Sequence, residues 1–183
     1  MVHRKLPITP QILLKIRSQV DLDNPSDIRF WAACLVSFYG LFRKANITPV
    51  SVNSFDATKH FTVGDVRKCK EGLALTVKHT KTIQCRERSF QIPLPFLHNH
   101  PLCPVTAVLH LMSMKSNLDP SAPLFSLHSR DTILTQKALL PGSGRRCYSV
   151  VGSNSQIILD TVFIEEEHHG LLSLDYRVKW SSH

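Results

Sequence analysis

Arg43 and Lys81 are the two residues whose types and settings could do chemistry together. Arg43 stands in Phe38-Tyr39-Gly40-Leu41-Phe42-Arg43-Lys44-Ala45-Asn46, where an amphipathic helical pattern turns toward polar sequence. Lys81 lies in His79-Thr80-Lys81-Thr82, between two strand-like runs. A guanidinium makes bidentate contacts to phosphate oxygens, and an ammonium on a hairpin can donate a proton. Together the two could grip one phosphate. Each also has a plainer reading. Arg43 can be a cation at a helix C-terminus paired with a local carboxylate, and Lys81 an exposed loop lysine.

The charge pattern favours a polyanion as partner. Residues 1–95 hold 15 Lys+Arg against 7 Asp+Glu, whereas residues 96–183 hold 7 of each. The whole net charge of +8 therefore sits in the first half. A field of one sign there attracts nucleic acid, and a solvated basic face is the alternative. The chain has 183 residues and 43% hydrophobic content, the range of one globular domain. No apolar run reaches the roughly 20 residues of a membrane span, and the first residues lack the apolar core of a signal peptide. A nuclear or cytoplasmic protein is expected, neither secreted nor membrane-bound. The five cysteines (34, 69, 85, 103 and 147) are odd in number and form no Cys-x-x-Cys pair, which reads as reduced thiols.

Three helices and a small sheet must position Arg43 and Lys81. Thr9 is a natural N-cap with Pro10 at N1, followed by apolar residues at 12, 13, 16 and 20. Ile8 and Leu13 occupy the positions of a hydrophobic staple. A second helix is predicted over 24–43, with Ile28, Trp31, Ala32, Leu35, Phe38, Tyr39 and Phe42 as its apolar stripe. A third, over 104–115, places Val105, Val108, Leu109 and Met112 on one face. Between them Leu73, Leu75 and Val77 alternate with Ala74, Thr76 and Lys78, and Phe90, Ile92 and Leu94 alternate likewise. A shorter strand near 65–70 turns into the first of these through Glu71-Gly72. The expected fold class is α+β, mostly helical, with a small three-stranded antiparallel sheet.

Several segments carry a family resemblance in order. They are Arg4-Lys5-Leu6-Pro7-Ile8-Thr9-Pro10, Phe38 through Asn46, and Lys59-His60-Phe61-Thr62-Val63-Gly64-Asp65-Val66. Next come Val77-Lys78-His79-Thr80-Lys81-Thr82, Arg86-Glu87-Arg88 and Ile92-Pro93-Leu94-Pro95, then Pro101-Leu102-Cys103-Pro104-Val105 and Leu124-Phe125. Residues 5–138 resemble the front part of a tyrosine recombinase (phage-integrase type) catalytic domain, nearest to the recombinases of animal mobile elements. The resemblance implies DNA integration and recombination through a 3′-phosphotyrosyl intermediate, with no cofactor or metal. It places Arg43 at the first phosphate-binding arginine and Lys81 at the hairpin lysine that acts as general acid.

The chain departs from that pattern after Leu124-Phe125. No His-x-x-Arg occurs anywhere in it. Gly142-Ser143-Gly144-Arg145-Arg146 offers an arginine pair without the histidine. Tyr148 follows too soon to match the nucleophile, and Tyr176 lies in an unrelated context. Residues 139–183 show no helical periodicity and read as an unrelated, poorly ordered tail on a truncated recombinase core. The expected function is that of a DNA-binding remnant, catalytically inactive, which meets duplex DNA mainly through its backbone and takes no small-molecule ligand. The alternatives are an active recombinase using Tyr148 or Tyr176, or a protein-interaction or functionless fragment. His98, His100 and Cys103 are potential zinc ligands, but no fourth stands at customary spacing and no metal is expected.

Overall fold

The computed structural model describes residues 8–70, 72–78, 90–115, 118–127 and 133–136. The first helix, α1 (Pro10–Arg17), opens as its residues require: the Thr9 side chain accepts from the Ile12 amide at 3.4 Å, with Pro10 in the first turn. Leu13 and Ile16 bury one face, and Ile8 packs against the same core. The second helix, α2 (Pro25–Gly40), is capped by the Asn24 side chain, which accepts from the Ser26 amide at 2.9 Å. Its buried residues run without a gap from Asp27 to Ser37. A stripe is what the sequence predicts; a helix buried all round is what forms.

α2 does not reach residue 43. It stops at Gly40, and Leu41 takes the left-handed conformation at φ 51°. The Phe42 amide then bonds back to the Ser37 carbonyl at 3.1 Å, the reverse turn that closes many helices. The physical reason is Phe42. The reversal carries its ring into the core, where it meets Phe61 edge-on with centroids 4.8 Å apart. Arg43 is therefore not in the last turn of the core helix. It precedes a separate short helix, α3 (Lys44–Ile47).

The sheet has the order β1-β2-β3, built from β1 (Val66–Cys69), β2 (Gly72–Val77) and β3 (Phe90–Pro95), all antiparallel. Leu73, Leu75 and Val77 stand opposite Leu94, Ile92 and Phe90, so the two alternating runs share one face. Leu73, Leu75, Val77 and Leu94 are buried, while Phe90 at the far end is exposed. Both edges are blunted: Arg67 and Lys68 lie on β1, and Pro93 and Pro95 on β3. A single 3₁₀ turn (Val63–Asp65) leads into β1.

The last helix, α4 (Pro104–Ser113), packs on α2 and β3. Its buried arc is Pro104, Val105, Ala107, Val108 and Leu111, while Leu109 is exposed. Each residue advances about 100° around a helix. A face centred near Val108 therefore takes in Leu111 and leaves Leu109 outside, contrary to the expected grouping. Leu124 and Phe125 are buried, and their segment lies beside residues 61–64. The Leu124 amide donates to the Phe61 carbonyl, and the Val63 amide to the Ala122 carbonyl, each at 2.9 Å. One hydrophobic cluster joins residues from α1, α2, the sheet, α4 and this segment. Lys81, Tyr148, Tyr176 and all of 139–183 lie outside the described residues.

Two substitutions at backbone-controlled positions should act with opposite signs. Gly72 has φ 141°, and a Cβ there would stand 2.8 Å from the Leu94 carbonyl oxygen. Gly72→Ala is expected to destabilise by roughly 1–3 kcal/mol. Leu41 is 64% exposed and held left-handed, so glycine relieves strain there with little lost burial. Leu41→Gly is expected to stabilise by up to about 1 kcal/mol. Urea midpoints of the two variants and the parent check both signs.

Candidate functional site

A small cleft opens where α3, the turn 56–60 and β2 meet, lined by Asn46, Lys59, His60, Asp65, Thr76 and Lys78. It is shallow and open to solvent, with a cavity volume of only about 10 Å³. That is below the roughly 300–1,000 Å³ of pockets that enclose small molecules. It can offer a surface for contact but encloses no ligand.

Asp65 organises the floor. It is 3% exposed, and a single oxygen, Oδ2, takes three donors. The Thr62 amide is at 2.8 Å, the Thr62 hydroxyl at 2.9 Å and the Lys78 ammonium at 2.8 Å. Thr62 and Asp65 thereby form a reciprocal cap on the 3₁₀ turn. Lys78 also donates to the Ala57 carbonyl at 3.0 Å and to the Thr62 hydroxyl at 3.3 Å. An ammonium has three donors, and all three are engaged.

The turn 56–60 presents the other groups. The Lys59 and His60 amides both bond to the Asp56 carbonyl, at 3.0 and 2.8 Å. His60 Nδ1 stands 3.1 Å from both the amide nitrogen and the carbonyl oxygen of Asp56, and its ring stacks on Phe55. Burial lowers the pKa of His60 below the ordinary histidine range, so the ring is uncharged at neutral pH. The Asp56 carboxyl is held below the usual carboxylate range, first by the Thr58 hydroxyl and amide and then by Lys59. Lys59 pairs with Asp56 at 3.1 Å, but its side chain is 61% exposed. Such a pair is weak and exchangeable. The Thr76 hydroxyl lies buried with no hydrogen-bond partner among the described residues.

Arg43 is tied to this cleft from two sides. Its carbonyl accepts from the Asn46 amide at 2.9 Å, and Asn46 lines the cleft. Its neighbour Phe42 packs on Phe61, which also lines it. Arg43 itself is partly exposed. Of the two residues expected to grip phosphate, Arg43 stands one step from Phe42 and three from Asn46 in the chain but does not itself line the cleft, and Lys81 is outside the described residues. Lys59, Lys78 and Asp65 escaped the sequence reading as site residues. The Thr62-x-x-Asp65 spacing, which matches a capping pattern, was the available signal for the last of them.

The His98–Cys103 cluster resolves into a structural role. His100 Nδ1 accepts from the Leu102 amide, and Cys103 Sγ accepts from the Leu97 and Thr106 amides, so both shape the entry to α4. Among the described residues no group of three or more His, Cys, Asp or Glu could hold a metal ion. No helix among them is long and apolar enough to cross a membrane.

Lys115 is the second structured lysine. It is 9% exposed and donates to the Pro123 carbonyl at 2.8 Å and to the Ser126 hydroxyl at 3.1 Å. Burial, reinforced by the positive charge of Arg29, lowers its pKa to about 8. Comparison with family models, with curated proteins and with solved structures gives no match.

Lys115 makes stability depend on pH in a definite direction. Below pH 8 the ammonium is charged in both the folded and unfolded states, and burying the charge costs stability. Between about 8 and the ordinary lysine value of 10.5 the unfolded chain binds the extra proton, so stability rises with pH. Lys115→Met should abolish a rise on the order of 2 kcal/mol. Urea unfolding of parent and variant at pH 7.5 and pH 10 reads the difference directly; parallel pH profiles for the two proteins would contradict it.

Proposed function

We propose that this chain binds duplex DNA through its sugar–phosphate backbone, as a catalytically inactive remnant of a tyrosine recombinase from a mobile element. The observation that carries the reading is a coincidence of charge and position. The net charge of +8 lies wholly in residues 1–95, and Arg43, the residue matched to the family's first arginine, adjoins a cleft bearing the exposed ammonium of Lys59. The family assignment rests on the ordered sequence segments. Support from the fold is coarser: mixed helices with a small three-stranded antiparallel sheet.

The chemistry available at the cleft is binding chemistry. A phosphate entering beside Lys59 meets a cation, and Thr76, whose hydroxyl is buried without a partner among the described residues, lines the same cleft. Of the described carboxylates nearby, Asp65 is neutralised by Lys78, and Asp56 is the exposed partner that the phosphate would displace from Lys59. Strand cleavage by this family's mechanism needs several cations around one phosphate and a nucleophile held in line with it. The sequence has no His-x-x-Arg and no tyrosine at the family spacing. Losing members of a unit that acts together costs orders of magnitude in rate.

Duplex DNA should bind without strong sequence preference, and affinity should fall steeply between about 50 and 200 mM salt as counterions are released. Arg43→Ala should weaken binding more than Lys15→Ala. Fluorescence anisotropy with labelled duplexes measures both. Absence of binding at low salt, or equal losses at Arg43 and Lys15, would favour a diffuse basic face instead.

Nicked suicide substrates should yield no covalent protein–DNA adduct on a denaturing gel. A shifted band abolished by Tyr148→Phe or Tyr176→Phe would establish an active recombinase.

A further inference from the structure

Two lysines border the cleft, and their surroundings assign them different work. Lys59 is exposed and pairs with the carboxylate of Asp56, itself 37% exposed at its side chain. Lys78 sits at the end of β2 with every donor used: on the buried Asp65 carboxylate, on the Thr62 hydroxyl and on the Ala57 carbonyl. Ala57 belongs to the turn that carries Lys59 and His60. The ammonium therefore joins three pieces of chain: the strand it grows from, the 3₁₀ turn capped by Asp65, and the turn 56–60.

We infer that Lys78 is a positioning residue for nucleic-acid binding: it fixes the turn 56–60 so that Lys59 faces the phosphate, and it makes no phosphate contact itself. The inference rests on the proposed DNA binding. Its physics is desolvation and satisfaction. Moving Lys78 to a phosphate would leave the Asp65 carboxylate, 5% exposed at its side chain, with an uncompensated buried charge. The Lys78 side chain is 35% exposed but its carboxylate partner is buried, so breaking this pair costs more than exchanging the Lys59–Asp56 pair, which is exposed on both sides. Lys78 also releases no counterion on binding, because its charge is already neutralised by the Asp65 carboxylate.

The salt dependence of DNA affinity separates the two roles. Lys59→Ala should lower the slope of log K against log salt by about 0.9, the value of one phosphate contact. Lys78→Met should weaken binding with the slope unchanged, and Lys78→Arg, which can still pair with Asp65, should restore part of the affinity. A slope that falls as far in Lys78→Met as in Lys59→Ala would overturn the inference. Asp65→Asn gives a second test that does not depend on Lys78→Met folding. A positioning role predicts weaker binding, because the clamp loosens; a phosphate contact by Lys78 predicts tighter binding, because a competing carboxylate is gone. If the parent chain binds no DNA, the nucleic-acid reading fails, and hydrogen exchange at the Lys59 and His60 amides judges the clamp. Faster exchange in Lys78→Met supports it, and unchanged exchange overturns it.

Discussion

Helix α2 has no solvent-facing side over its middle turns, and most of the described fold follows from that constraint. A helix buried from Asp27 to Ser37 must be covered on every side. α4 and β3 pack on it directly, and residues of α1 and of the 118–127 segment join the same cluster. The helix also has to end where its apolar surroundings end. Gly40 and the left-handed Leu41 stop it, and Phe42 turns inward onto Phe61. Arg43 is left partly exposed at the start of α3 because its neighbour is pulled into the core. The position of the candidate phosphate-binding arginine is thus a consequence of packing one residue away.

Polar groups inside the fold are joined in a short seam. The Lys78–Asp65–Thr62 cluster stands at the end of β2, and the Lys115–Pro123–Ser126 cluster follows α4. An antiparallel bridge between Thr62 and Pro123 connects them. The two lysines nevertheless live in different electrostatic conditions. Lys78 has a carboxylate, which offsets its partial desolvation. Lys115 has neutral oxygens and a nearby arginine charge, so its ammonium is disfavoured and its pKa falls. Burial alone does not decide the fate of a charge; the partner does.

The nucleic-acid reading depends on how charge is distributed among such environments. Of the basic residues near the cleft, Lys78 is internally neutralised and Lys59 remains exchangeable, so net charge overstates what is available to a phosphate. The family pattern adds a specific location, Arg43, which composition alone could not select. A recombinase also needs a nucleophile and further cations around the same phosphate, and the sequence beyond Leu124-Phe125 departs from that requirement. In the proposed reading, DNA binding is therefore separable from cleavage.

The sequence by itself determined the local elements and their chemistry. Thr9-Pro10 and Asn24-Pro25 start helices because a side-chain oxygen can cap orphan amides and proline already has the required φ. Leu73, Leu75 and Val77 fall on one face with Phe90, Ile92 and Leu94 because a strand repeats every two residues. The mixed α+β class with three antiparallel strands was legible for the same reason. Only the tertiary structure decided where α2 stops, which face α4 buries and which lysine is spent on an internal carboxylate. Those outcomes depend on partners distant in sequence: Phe61 for Phe42, Asp65 and Ala57 for Lys78, and Pro123 for Lys115. No local periodicity or charge count contains that information, because the free energy that settles it arises only when the segments meet.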